Sequence, residues 1–123
     1  MRKLNEIGEV YIVTNGTAWI QDSRFARSNL LQYAKQAFIS ERVGYDKPDK
    51  RYTDYVIKHI PNFSIEKAVW IGDSLSADIR AANEVGITSI WYNRHKKVLN
   101  GDIIPVFNAE NFHSILAFLQ TLN

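Results

Sequence analysis

Apolar residues along this chain come in two rhythms that take turns. Val10-Tyr11-Ile12-Val13 is a short β-branched run that stops at Thr14-Asn15-Gly16, a turn signal. From Asp22 to Ala37 the spacing becomes helical, with Phe25, Leu30, Tyr33 and Ala37 sharing a broad face. Phe38-Ile39-Ser40 is a brief second strand. Asp49 then caps a predicted helix whose stripe of Tyr52, Tyr55, Val56 and His59 is closed by Pro61. Ala68-Val69-Trp70-Ile71 is a third strand. Ser74 or Ser76 caps the next helix, in which Ile79, Ala82 and Val85 recur before Gly86, a good helix stop. Ile87 to Tyr92 reads as a fourth strand, and Asn108 as the cap of a last helix carrying Phe112, Ile115, Leu116 and Leu119.

Strand-helix alternation with near-continuous apolar strands predicts an α/β fold, a parallel sheet covered by helices on both faces. The chain shows no repeat, low-complexity segment or linker, so residues 1–123 are read as a single domain. With 46% hydrophobic and 23% charged residues the composition is globular rather than disordered. A net charge of +2 gives no reason to expect a nucleic-acid polymer as partner, and the one basic run, Arg94-His95-Lys96-Lys97, reads as a solvated loop. There is no cysteine, hence no disulfide or thiolate chemistry. No apolar run approaches the roughly 18 residues of a membrane span, and the first residues are not a signal peptide. A soluble, cytoplasmic domain is expected.

The chemistry gathers where the predicted strands end. Thr14 offers a hydroxyl, and the turn amides of Asn15 and Gly16 add donors suited to an anion. Lys47 precedes a helix within Gly44-Tyr45-Asp46-Lys47-Pro48; taken alone, that stretch reads as a surface lysine in a loop. Gly72-Asp73 is more telling, because a carboxylate at the tip of an apolar strand must be solvated or bound, and open α/β sheets place ligands at those tips. Asp78 follows at the start of a helix, where an acid also offsets the helix dipole. Two acids with a Thr and a Lys from earlier strands suggest magnesium and phosphate.

The order decides between families. Thr-Asn-Gly after a strand, then Gly-x-x-Lys-Pro before a helix, then strand-Gly-Asp-x-x-x-x-Asp, resembles the second, third and fourth motifs of haloacid dehalogenase-like hydrolases. The resemblance spans about residues 7 to 118. Tyr52, Ile60-Pro61-Asn62-Phe63-Ser64 and the stretch from Ile71 to Ile79 look like the subgroup that dephosphorylates pyrimidine and noncanonical nucleoside monophosphates. A receiver domain is rejected, since there Thr and Lys-Pro follow the phosphorylated Asp. A dinucleotide-binding domain is disfavoured, because no Gly-x-Gly-x-x-Gly follows a strand.

The resemblance implies a Rossmann-like three-layer sandwich with a mostly parallel sheet, here of about four strands. It implies that Thr14 bonds phosphoryl oxygens and Lys47 offsets charge on nucleophile and phosphate. Asp73 would ligate Mg²⁺, with Asp78 a second ligand or an outer partner. The family's reaction begins with Asp-x-Asp-x-Thr on a first strand, whose leading Asp attacks phosphorus. No Asp-x-Asp occurs in these 123 residues, and the acids before Asp73 (Asp22, Asp46, Asp49 and Asp54) lie in loop or helix contexts. The first strand and the cap domain are therefore expected to be missing, leaving a core fragment that is inactive alone and holds Mg²⁺ weakly or not at all. The vacated strand edges would close on each other, accept a separate N-terminal fragment, or be buried in a homodimer. The alternatives are a non-enzymatic partner-binding module and one half of a split hydrolase acting on a phosphorylated small molecule.

Overall fold

The computed structural model describes residues 2–15, 34–99 and 101–122. Their contacts gather into two compact units, Met1–Val56 and Ile57–Asn123. No composition shift in the sequence marks that division, and each unit is described by itself.

The first unit is built on a two-stranded parallel ladder. Helix α1 (Arg2–Ile7) leads to β1 (Tyr11–Thr14), which pairs with β2 (Gln36–Ile39), Ile12 opposite Ala37 and Val13 opposite Phe38. The helix read over 22–37 lies mostly outside the described residues, but its last two positions belong to β2. Ser40 in turn is not strand: it opens the short α2 (Ser40–Val43). The ladder with β1 takes Gln36 and Ala37 because parallel pairing satisfies their backbone groups, which helical spacing alone does not reveal. Phe38 and Ile39 are buried, and Phe38 meets the rings of Tyr11 and Tyr55, each at 6.2 Å between centroids.

Helix α3 (Lys50–Lys58) starts where expected. The Asp49 carboxylate accepts from the Arg51 amide at 2.9 Å and from the Arg51 guanidinium at 2.8 and 3.1 Å. Those bonds, the guanidinium's first and the amide's second, hold the Asp49 carboxyl below its ordinary value. The buried face of α3 carries Tyr52, Thr53 and Val56. Among the described residues the Thr53 Oγ1 is buried without a hydrogen-bond partner. Replacing that hydroxyl by a methyl of the same shape removes an unmet desolvation penalty. Thr53→Val is therefore expected to raise the unfolding free energy by about 1 kcal/mol, read from the urea midpoint at unchanged slope.

The second unit holds a three-stranded parallel sheet, β3 (Val69–Gly72), β4 (Thr88–Tyr92) and β5 (Phe107–Ala109), in that order. Register sets Ile71 opposite Ile90 and Gly72 opposite Trp91, while Ile90 faces Phe107. Between β3 and β4 the chain makes a π-type turn at Leu75–Ile79 and runs into α4 (Arg80–Val85). Gly86 ends α4 in the left-handed conformation at φ 81°, as the helix-stop reading requires. After β5, helix α5 (Phe112–Gln120) packs Ile115 and Leu119 inward, and Phe118 stacks on Phe107 at 4.3 Å. The cap of α5 is Asn111, whose Oδ1 accepts from the Ser114 amide at 2.8 Å; the expected cap, Asn108, is a strand residue opposite Trp91.

β5 itself has no apolar run to announce it. Long-range polar contacts hold the approach to it instead. Asn83 Nδ2 donates to the Ile104 carbonyl at 2.9 Å. Ser89 Oγ donates to Asn83 Oδ1 at 2.8 Å and accepts from the Val106 amide at 3.1 Å. The fold is thus α/β with parallel sheets, as expected, but five strands rather than about four stand among the described residues.

Candidate functional site

Four of the six residues expected at the site lie in the first unit: Thr14, Asn15, Gly16 and Lys47. Gly16 lies outside the described residues. The other three meet at the C-terminal end of β1. Asn15 and Lys47, 32 positions apart, are joined by a reciprocal pair of bonds. Asn15 Nδ2 donates to the Lys47 carbonyl at 2.9 Å, and the Lys47 amide donates to Asn15 Oδ1 at 2.8 Å. An Asn side chain offers one donor and one acceptor in a single plane, so it mimics the edge of a strand here. The side chain thereby fixes the lysine-bearing loop.

Lys47 is not a surface lysine. The residue is buried, and its Nζ donates to the Val13 carbonyl at 3.2 Å. Burying an ammonium is unfavourable unless hydrogen bonds and negative charge compensate it, so the place of Lys47 at a strand tip is held by its surroundings. Next to it, the Thr14 amide donates to Tyr52 Oη at 3.1 Å, and the same hydroxyl donates to the Phe38 carbonyl. One fully buried tyrosine therefore ties the ends of both strands to α3. The sequence placed Tyr52 on the helix's apolar stripe but gave no sign of that hydroxyl's work.

In the second unit Asp73 follows β3 directly. Its side chain is exposed, while its carbonyl accepts from Trp91 Nε1 at 3.1 Å, which anchors the backbone under the carboxylate. Ser74 caps the π-type turn, with Oγ accepting from the Ala77 amide at 3.1 Å, so Ser74 rather than Ser76 is the cap. The Ser74 carbonyl accepts from the amides of Asp78 and Ile79 at 2.9 and 3.1 Å, the wider turn that often marks functional sites.

Asp78 is buried, which a first-turn acid merely offsetting a helix dipole need not be. Its Oδ1 accepts from Trp70 Nε1 and its Oδ2 from the Ser74 amide, each at 3.4 Å. The carboxylate lies directly over Gly72: a Cβ built on that glycine would land on the Cβ, Cγ and Oδ2 of Asp78. Gly72 is required for space, and sequence alone marked it only as part of a motif.

Residues 2–92 match the family model described as haloacid dehalogenase-like hydrolase. The chain belongs to that family. Among similar proteins, the pyrimidine 5′-nucleotidase PynA of Streptococcus pneumoniae is 39% identical over 112 residues, 91% of this chain and 47% of that protein. The HAD-hydrolase YfnB of Bacillus subtilis is 37% identical over 94% of this chain and 49% of its own length. Its magnesium-bound crystal structure superposes with a TM-score of 0.92 at 36% identity, covering 96% of this chain and 52% of that one. The chain spans about half the length of the curated relatives it matches.

Among the described residues no three His, Cys, Asp or Glu side chains group as a metal cage. Mg²⁺ is held by one or two carboxylates together with waters and substrate phosphate. Asp73, exposed at a strand tip on an anchored backbone, fits as the direct ligand. Asp78, buried and already receiving two N–H donors, fits as the group that holds the Asp73–Ser74 turn.

Proposed function

We propose that these residues form the phosphate- and Mg²⁺-binding portion of a nucleotidase-type phosphatase. The attacking carboxylate comes from a segment outside them, so the 123-residue chain is inactive alone. The observation that carries the reading is the buried Lys47, clipped by Asn15 and held at the end of β1. Phosphoryl transfer depends chiefly on positioning and on neutralising charge on the transferring group. Lys47 supplies a fixed cation, Thr14 a hydroxyl donor, and Asp73 the carboxylate that would hold Mg²⁺. When bound, Mg²⁺ would offset phosphate charge and orient the leaving oxygen. No residue here takes the place of an attacking Asp, because no Asp-x-Asp occurs in the sequence. A pyrimidine nucleoside monophosphate is the substrate class that the similarity to PynA and to the Escherichia coli pyrimidine 5′-nucleotidase YjjG supports.

The test is hydrolysis of uridine and thymidine monophosphates with Mg²⁺. The chain alone is expected to give none. Adding a family segment that carries Asp-x-Asp is expected to give Mg²⁺-dependent release of phosphate that Asp73→Asn abolishes. Turnover by the chain alone that vanishes in Asp73→Ala would overturn the reading.

A second reading is favoured by one observation. β1 and β3 each pair with a single strand among the described residues, and the second edge of each is where a strand from another chain would add. Light scattering on the purified chain distinguishes a homodimer, which would support a self-associating module, from a monomer that binds the added segment.

A further inference from the structure

The basic run after β4 is exposed, as a solvated loop is, but its backbone is held in place. Asn93, buried at the end of β4, clips it: Asn93 Nδ2 donates to the Lys97 carbonyl at 2.8 Å and the Lys97 amide donates to Asn93 Oδ1 at 2.9 Å. The Lys96 amide donates to the Asn93 carbonyl at 3.2 Å, and the Asn93 amide to the Ala109 carbonyl of β5 at 2.7 Å. Lys96 itself sits in the left-handed region at φ 52°, a conformation that non-glycine residues adopt rarely. A loop needed only for solubility requires neither a buried clip nor a strained lysine.

The clip holds the backbone of a segment that lines a cleft of about 600 Å³. Arg94, His95 and Lys97 give that cleft a basic rim, and Asp73, Ser76 and Asp102 line it too. The Arg94 guanidinium also lies 5.9 Å from the centre of the Tyr92 ring, which limits its wandering. We propose that this rim is a binding site for a phosphate group, independent of any metal. A fixed guanidinium forks onto two phosphate oxygens, and a neighbouring ammonium adds charge without geometric demand. Asp73 and Asp102 oppose an anion placed near them, so the phosphate sits against the 94–97 rim.

Two sources present the same chemistry: free inorganic phosphate, or a second phosphate on a substrate whose other end reaches Asp73. The latter would be a substrate other than the nucleoside monophosphates proposed above, which carry one phosphate; the site itself rests on neither. Isothermal titration of the 123-residue chain with inorganic phosphate in EDTA is the direct test. Saturable binding is expected, weakened about threefold or more by Arg94→Gln or Lys97→Gln and at least about tenfold by both together. Lys67→Gln, an exposed lysine away from the cleft, should leave it unchanged, and Asp102→Asn should tighten it.

No binding, or binding indifferent to Arg94 and Lys97, overturns the proposal. With Mg²⁺ present, a sugar bisphosphate that binds more tightly than inorganic phosphate, and loses that advantage in Asp73→Asn, assigns the site to substrate. Equal affinities assign it to free phosphate. Because the EDTA experiment involves neither a metal at Asp73 nor catalysis, its failure is separate from failure of the phosphatase reading.

Discussion

Gly72→Ala is expected to destabilise the second unit by about 3 kcal/mol or more, seen as a lower urea midpoint with an unchanged slope. The added methyl has no room, since it falls on the Cβ, Cγ and Oδ2 of Asp78 rather than on the free end of a flexible chain. Three responses are open to the protein, and each is unfavourable. Asp78 could swing away, leaving Trp70 Nε1 and the Ser74 amide without their acceptor. The π-type turn could shift, loosening the Ser74 cap. Or β3 could move, disturbing its register with β4 at Gly72–Trp91.

Two comparisons make the cause specific. Gly8→Ala, where an added Cβ meets nothing, should change stability by no more than about 0.5 kcal/mol. Asp78→Ala should fail to rescue Gly72→Ala, because the Cβ of Asp78 is itself one of the clashing atoms, whereas Asp78→Gly should recover part of the loss. Rescue by Asp78→Ala would show that the carboxylate alone, and not the close approach of turn and strand, dictates the glycine.

That pair of residues illustrates what the chain's pattern revealed. The Gly72-Asp73 motif stood out because it ends an apolar strand, and β3 and β4 fell within one residue of their expected bounds because short buried parallel strands are near-continuous apolar runs. The same logic missed β5, where Phe107-Asn108-Ala109 has no such run and its approach depends on Asn83 and Ser89 from distant positions. It missed the first half of β2 because residues 36 and 37 suit a helix face as well as a ladder.

Site residues divided similarly. Asp73 was legible from its position alone. The burial of Lys47 was not, since it depends on Asn15 meeting it across 32 positions, and Asp-Lys-Pro carries no record of that contact. The clip at Asn93 is local, yet it too escaped notice, because an Asn at the end of a strand looks like any turn former until its two bonds to Lys97 are seen.

Lys47→Met separates charge from packing at the phosphate site, and is expected to lower turnover about 10²- to 10³-fold in the enzyme completed with an Asp-x-Asp segment. Methionine keeps the length and apolar stem of lysine, so the space around the side chain stays filled. Losing the bond to the Val13 carbonyl is offset by no longer burying an ammonium, and stability should change by less than about 1.5 kcal/mol. Asn15→Ala provides the contrast. It leaves the ammonium in place but frees the Lys47 amide and carbonyl from the clip, so about 1–2 kcal/mol of stability should be lost along with part of the turnover. Lys47→Arg should not restore activity, because a planar fork on a longer reach does not occupy the place of a compact ammonium. If Lys47→Met instead unfolds the chain and Asn15→Ala leaves both stability and turnover untouched, Lys47 is a packing residue and the charge-neutralising role is wrong.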